Sequence, residues 1–127
     1  MGDYLMSLIK CNDIQNASGG IPTVKGQKLI PTAWVNFNGI GTVAIRDSEN
    51  VSSITDLTTG NFAVNFATTM ANSSYCAIAT TERTSTWLDG GINVINHTTA
   101  LVQVQNIENS NGVDTAIFSV AVMGGQS

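Results

Sequence analysis

The side chains able to carry acid–base chemistry are few: nine carboxylates and one histidine in 127 residues. Asp47 and Glu49 lie two positions apart, directly after Arg46. A glycoside hydrolase needs two carboxylates held at a set separation across a cleft. Two acids beside a cation at a strand end are more typical of an exposed turn with a local ion pair. We therefore expect a structural role for these residues, in which Arg46 and Asp47 either form a salt bridge or stabilise a turn.

The sequence contains no other constellation typical of catalysis or metal binding. No serine lies in a GxSxG motif, and no glycine-rich segment matches a phosphate-binding loop. Two cysteines without a CxxC pair are too few ligands for a zinc site. We expect Cys11 and Cys76 to be buried free thiols. His97 is expected at a strand end or in a loop, with a position near a trimer axis around an ion as the alternative. The sequence thus predicts no catalytic residue, no cofactor and no metal.

Segment 80–91 (TTERTSTWLDGG) is the best candidate for molecular recognition. It places an acid and a base near a tryptophan, and aromatic faces with neighbouring polar groups are suited to contacts with sugars and proteins. The candidate receptor-contact residues are Glu82, Arg83, Thr84, Trp87 and Asp89. The alternative is that Trp87 packs over one end of the domain. The other tryptophan, Trp34, is expected in the core.

Composition excludes several classes of function. Charged residues make up 11% of the chain, against about 25% in an average domain, and 39 residues are Asn, Thr or Ser. Five basic residues against nine acidic ones argue against nucleic acid as a partner. The apolar runs are too short for a transmembrane helix, and we expect neither membrane insertion nor a secretory signal. The composition is that of a neutral globular domain.

Alternating apolar and polar residues predict an all-β fold, an antiparallel β-sandwich with about eight short strands. The predicted strands are 33–38, 42–47, 51–55, 61–67, 75–81, 92–97, 101–107 and 115–123. Asn, Gly, Ser and Thr clusters separate them, as in turns. Two prolines and three glycines between positions 19 and 31 predict an extended N-terminal arm. We therefore divide the chain into an arm, 1–32, and a sandwich domain, 33–127.

The last predicted strand, 115–123, is apolar on both faces. Phe118, Val120 and Val122 alternate with Ile117, Ala121 and Met123. A strand of this kind is either covered on both sides within its own domain or buried on one side against another chain. Both alternatives remain open at this stage.

Two parts of the chain resemble bacteriophage tail-fibre proteins, especially those of marine and cyanobacterial phages. The longer part comprises AWVNFNG (33–39), GTVAIRDS (41–48), NVSSITD (50–56) and GNFAVNF (60–66). The shorter part is SLIKCNDIQNASG, at 7–19. The resemblance implies a virion structural protein, assembled in the bacterial cytoplasm as a homotrimer and exposed on the particle. It further implies contact with other virion proteins through the arm and with a host surface glycan or protein.

Two alternatives accompany this interpretation. A capsid decoration or cement protein would use the same fold and arm on the head, with no receptor role. A small enzyme that cleaves envelope glycans would need the paired carboxylates that the sequence does not provide. The leading expectation is therefore a trimeric fibre or spike-tip module that is not an enzyme.

Overall fold

The computed structural model describes residues 15, 17–18, 31–82 and 90–126. The chain divides between Ile30 and Pro31, and all described strands belong to the second unit. In the first unit, Ala17 and Ser18 lie in an exposed turn. The remainder of the predicted arm up to position 30 lies outside the described residues.

The described residues form nine strands and no helix, which confirms the all-β prediction. The strands are β1 (Ala33–Asn38), β2 (Ala44–Glu49), β3 (Val51–Thr58), β4 (Asn61–Phe66), β5 (Tyr75–Thr81), β6 (Gly90–His97), β7 (Leu101–Glu108), β8 (Asn111–Gly112) and β9 (Phe118–Gly124). The bounds of β1 and β5 coincide with the predicted 33–38 and 75–81. The strand without a predicted counterpart is β8, a two-residue continuation of the turn after β7.

The strands form two antiparallel sheets. Sheet I has the order β2-β1-β9-β5, and sheet II has the order β3-β4-β7-β6, with β8 beside β7. β2 and β5 are therefore the edges of sheet I. Each sheet turns alternate residues towards the core, because successive side chains of a strand point to opposite faces.

Three phenylalanine rings occupy the centre of the core. The rings of Phe37 and Phe118 stack with centroids 5.0 Å apart, and Phe62 meets both edge-on at 5.4 Å and 4.9 Å. All three side chains are fully buried. The other large buried apolar residues are Val35, Val64, Phe66, Met70, Tyr75, Val102, Val104, Val120 and Val122. The core is thus built from one face of each sheet, as the alternation predicts.

The chain passes from sheet I to sheet II at Asn50, between β2 and β3. Its φ of 53° lies in the left-handed region, which asparagine tolerates better than most residues. Its side-chain oxygen accepts the N–H of Thr68 at 2.7 Å, and its amide nitrogen donates to the carbonyls of Thr32 and Thr68, each at 3.2 Å. Asn50 therefore links the corner to the chain before β1 and to the chain after β4.

The turn between β3 and β4 is fastened to the segment before β9. The Gly60 N–H donates to Asp114 Oδ1 at 2.6 Å, and the Gly60 carbonyl accepts the N–H of Asn106 at 2.7 Å. Gly60 has a φ of 74°, and a Cβ at this position would lie 2.5 Å from both the Asn106 oxygen and the Val113 nitrogen. Only glycine combines that φ with so close an approach.

The predicted strand 115–123 begins three residues late, at Phe118. Thr115 is fully buried, and its hydroxyl is hydrogen-bonded to that of Thr81 at the end of β5. The N–H of Ala116 donates to Glu82 Oε1 at 2.6 Å. The Thr81 hydroxyl also lies 2.8 Å from the Ile117 carbonyl, so that side chains of Thr81 and Glu82 bind backbone groups that a strand ladder would otherwise use.

Candidate interaction surfaces

Of the five predicted receptor-contact residues, the structure describes Glu82. It is half-buried, its carboxylate accepts the N–H of Ala116, and its own N–H donates to the Ile117 carbonyl at 3.2 Å. Glu82 therefore connects the end of β5 to the chain entering β9. The other four residues, Arg83, Thr84, Trp87 and Asp89, lie outside the described residues.

The predicted salt bridge between Arg46 and Asp47 does not form. Both residues are exposed on the edge strand β2, where Asp47 Oδ1 accepts the N–H of Ser48 at 2.9 Å. The Arg46 guanidinium instead donates to the side-chain oxygen of Asn36 on the neighbouring strand at 3.3 Å. A bulge between Asn36 and Phe37 shifts the register at this point, and the sequence pattern gives no sign of it. Glu49 is exposed on the same strand.

His97 is the last residue of β6, at a strand end as expected. Its ring lies against that of Tyr75, with centroids 4.9 Å apart and a tilt of 44°. The Tyr75 hydroxyl lies 3.0 Å from the Thr98 carbonyl and 2.9 Å from that of Leu101. Desolvation by burial raises the pKa of Tyr75 above its usual value of 10. These contacts give the pair a packing role beside the turn after β6.

Two expectations about burial are wrong. Cys76 is a free thiol, but it is exposed, because Tyr75 and Ala77 take the inner face of β5. Trp34 is 36% exposed on the outer face of sheet I, because its neighbours Ala33 and Val35 fill the core. In both cases the strand alternation, rather than the size or polarity of the residue, determines the direction of the side chain.

An apolar surface runs across three strands on the outer side of sheet I, and we call it the apolar face. In register, Trp34 of β1 lies opposite Ala121 of β9, which in turn lies opposite Ile78 of β5. Met123 lies one outward position further along β9. The side chains of Ile78 and Met123 are 50% and 36% exposed. Within the part of the chain that the structure describes, the outer face of the strand 115–123 is thus partly exposed, which favours the alternative in which another chain buries it.

The apolar face contains a shallow, open depression of about 400 Å³. Its lining residues are Trp34, Val35, Asn36, Ile78, Thr80, Ser119, Val120 and Ala121. The Asn36 amide donates to the Ser119 hydroxyl at 2.9 Å while it accepts from Arg46. The Asn36 amide and the Ser119 hydroxyl beside the depression are therefore bonded to each other, and the surface of the depression is mainly apolar.

The outer side of sheet II has the opposite character. The Asn65 amide of β4 donates to the hydroxyls of Ser53 and Thr55 at 3.1 Å and 2.9 Å. On the neighbouring strand, Gln103 donates to Asn61 Oδ1 at 2.8 Å. Cross-strand pairs of this kind stabilise a sheet without charge. Sheet I thus carries a contiguous apolar outer surface, whereas sheet II carries cross-strand pairs of amides and hydroxyls, with single exposed apolar residues at Leu57 and Ile95 in its edge strands.

Among the described residues there is no group of three or more His, Cys, Asp and Glu side chains that could hold a metal ion. No helix in the described part of the chain is long and apolar enough to cross a membrane. Comparison with known proteins found no matching family model, no matching curated protein and no matching solved structure.

Proposed function

We propose that the chain is a structural protein of a bacteriophage virion, a homotrimeric tail-fibre or spike-tip module that contacts the host surface and has no enzymatic activity. The observation that carries this proposal is the place of the resembling segments in the fold. The segment 33–66 builds β1 to β4, two strands in each sheet, together with the corner between the sheets. The resemblance to fibre proteins thus lies in the framework of the sandwich rather than in one loop.

Residues within that segment have structural roles that support a shared fold. Asn38 donates from its side chain to the Ile40 carbonyl at 2.7 Å and shapes the turn between β1 and β2. Asn50 links three parts of the chain at the corner, and Gly60 allows close contact in the next turn. All three residues thus shape turns within the segment that resembles fibre proteins.

The two outer sides of the sandwich also suit a module displayed on a particle. An apolar side is suited to permanent contact with another protein chain. A side of uncharged amides and hydroxyls remains hydrated and depends little on salt. We place the host contact in segment 82–89, with Glu82, Arg83, Thr84, Trp87 and Asp89 as its residues and a surface glycan or protein as its ligand.

Cryo-electron microscopy of the intact virion tests the location and the copy number of the chain. We expect threefold clusters at the tail. A lattice of copies over the head would instead identify a decoration protein and remove the receptor role. Absence of the chain from purified particles would contradict both interpretations.

The host contact is tested by adsorption. Phage carrying Trp87→Ala is expected to adsorb to host cells at least about tenfold more slowly, because aromatic anchors often dominate an interface. Ile40→Ala, in the exposed turn between β1 and β2, is the control and should adsorb like wild type. Equal adsorption of the two variants, with normal particle assembly, would move the host contact away from this segment.

The absence of enzymatic activity is tested with host envelope polysaccharide. Its size distribution should remain unchanged after incubation with the purified chain. Shortening of the polymer that is lost in the Asp47→Asn, Glu49→Gln variant would overturn the non-enzymatic interpretation and support a glycan-cleaving one.

A further inference from the structure

We infer that the apolar face of sheet I is a contact between copies of this chain. The first argument is the extent of the exposed apolar surface. Trp34, Ala121 and Ile78 form one row across β1, β9 and β5, and Met123 and Cys76 form the next row. Exposed apolar side chains scattered singly need no partner, but a contiguous set on adjacent strands marks an interaction surface.

The chemistry beside the depression favours a protein occupant over a sugar. A sugar is held by hydrogen bonds from free donors and acceptors around an aromatic ring. Here the Asn36 amide and the Ser119 hydroxyl are bonded to each other, and Arg46 occupies the Asn36 oxygen. The surface left for an occupant is therefore mainly apolar, which is typical of the centre of a protein–protein interface.

The charges at the β2 edge favour a second copy as that protein. Glu49 lies opposite Trp34 in the register, and Asp47 lies opposite Asn36, to which the Arg46 guanidinium is bonded. Within 31–82 and 90–126, neither acid is paired with Arg46. One edge thus presents a cation and two anions, so that a symmetry-related copy of the same edge can pair opposite charges with it.

The inference that copies of the chain meet at this face does not rest on the proposed function. A threefold arrangement of the copies does rest on it. In a virion trimer, the apolar faces would surround the threefold axis. If the chain proves absent from virions yet associates through this face, the proposed function fails and the present inference stands. A virion protein that is monomeric in solution would give the opposite result.

The experiment measures the mass of the full-length chain by light scattering after size-exclusion chromatography, at about 10 to 100 μM, a range in which standard interfaces are saturated. Wild type is expected to be oligomeric. Ile78→Lys places a charge in the row that Ile78 forms with Ala121 and Trp34, and it should weaken association by at least about a hundredfold. Leu57→Lys is the control, because Leu57 is similarly exposed, at 45% against 50%, but lies on β3 of sheet II.

A monomeric wild type would overturn the inference, and so would an oligomer that both lysine variants leave intact or both disrupt. Circular dichroism establishes that each variant is folded. If Ile78→Lys does not fold, Met123→Lys on β9 takes its place, because that side chain is also exposed and belongs to the same face. Loss of the oligomer in the variant of the apolar face alone supports the contact.

Discussion

At the scale of single residues, the buried rings of Phe37, Phe62 and Phe118 are the main determinant of stability. Phe62 meets both other rings edge-on and joins sheet II to sheet I. Phe62→Ala would remove its contacts and leave a cavity, which costs about 3–5 kcal/mol in free energy of unfolding. Urea denaturation at pH 7 measures the change. Leu57→Ala, which truncates an exposed side chain, should stay within about 0.5 kcal/mol of wild type.

Tyr75 gives the fold a dependence on alkaline pH. Because burial raises the pKa of its phenol above 10, the folded state holds this proton more tightly than the unfolded state. The resulting stability is fully present below pH 10 and is lost as the pH rises through 10 and the higher folded-state pKa.

The variant Tyr75→Phe isolates this contribution. At pH 7 it should be less stable than wild type by about 1 kcal/mol, because a hydrogen bond to the carbonyl of Thr98 or Leu101 is lost. Between pH 9 and 11 the wild type should lose stability faster than the variant, so that the difference narrows. Denaturation midpoints of both proteins, measured across this pH range, test the prediction. A difference in stability between wild type and variant that stays constant with pH would contradict the raised pKa.

The alternation of apolar and polar residues along a strand predicts which side chains point to the core. Phe62, Val64 and Phe66 face the core as the pattern indicates. The expectation that Trp34 lies in the core is wrong, because its neighbours Ala33 and Val35 already fill the inner face. The expectation that Cys76 is buried is wrong for the same reason. The alternation of β5, with Tyr75, Ala77 and Ala79 inward, contained the correct signal.

At the scale of elements, the turn at Gly60 fixes the position of β3 and β4 against the segment before β9. Gly60→Ala would force a left-handed φ on alanine and drive its Cβ to 2.5 Å from backbone atoms of Asn106 and Val113. The control is Gly41→Ala, since Gly41 also has a positive φ but no atom within 4 Å of the added Cβ. We expect a loss of about 1 kcal/mol for the control and of about 3 kcal/mol or more for Gly60→Ala.

Thermal denaturation measures the loss of stability in the two alanine variants. Gly41→Ala has only the strain of a left-handed φ, whereas Gly60→Ala has that strain and a steric clash with backbone atoms. Equal losses would mean that the backbone around Asp114 moves aside readily. The same measurement on Asp114→Ala, which removes the acceptor of the Gly60 N–H, should show a loss of about 1–2 kcal/mol. Together the variants separate the conformation of the turn from its attachment.

The positions of the strands can be predicted from the sequence more readily than the order of the strands in the sheets. Alternation and turn residues located eight of the nine strands, and the alternation is clearest in β1, β4, β7 and β9, which each turn one buried face to the core. The start of β9 was misplaced, since the hydrogen bonds that end the strand pattern at 115–117 come from Thr81 and Glu82, far away in sequence. The sheet order and the bulge at Asn36 likewise depend on contacts between distant strands, which no single segment encodes.

At the scale of the whole molecule, the two outer sides of the sandwich give different expectations for stability. The hydrogen-bonded amides and hydroxyls of sheet II are satisfied within one copy of the chain. The apolar face of sheet I is exposed among the described residues, and its burial against another copy would add stability. The stability of the protein should therefore depend on its concentration if copies associate through that face.

We expect the thermal midpoint of the wild type to rise by roughly 5 °C or more when the protein concentration is raised a hundredfold, because mass action favours the folded oligomer. For Ile78→Lys the thermal midpoint should not change with protein concentration. The lysine prevents association, and it remains hydrated in the folded chain because position 78 is exposed. Leu57→Lys should behave like wild type. A midpoint of the wild type that is independent of concentration would mean that the folded chain is stable alone, and that the apolar face adds nothing to its stability.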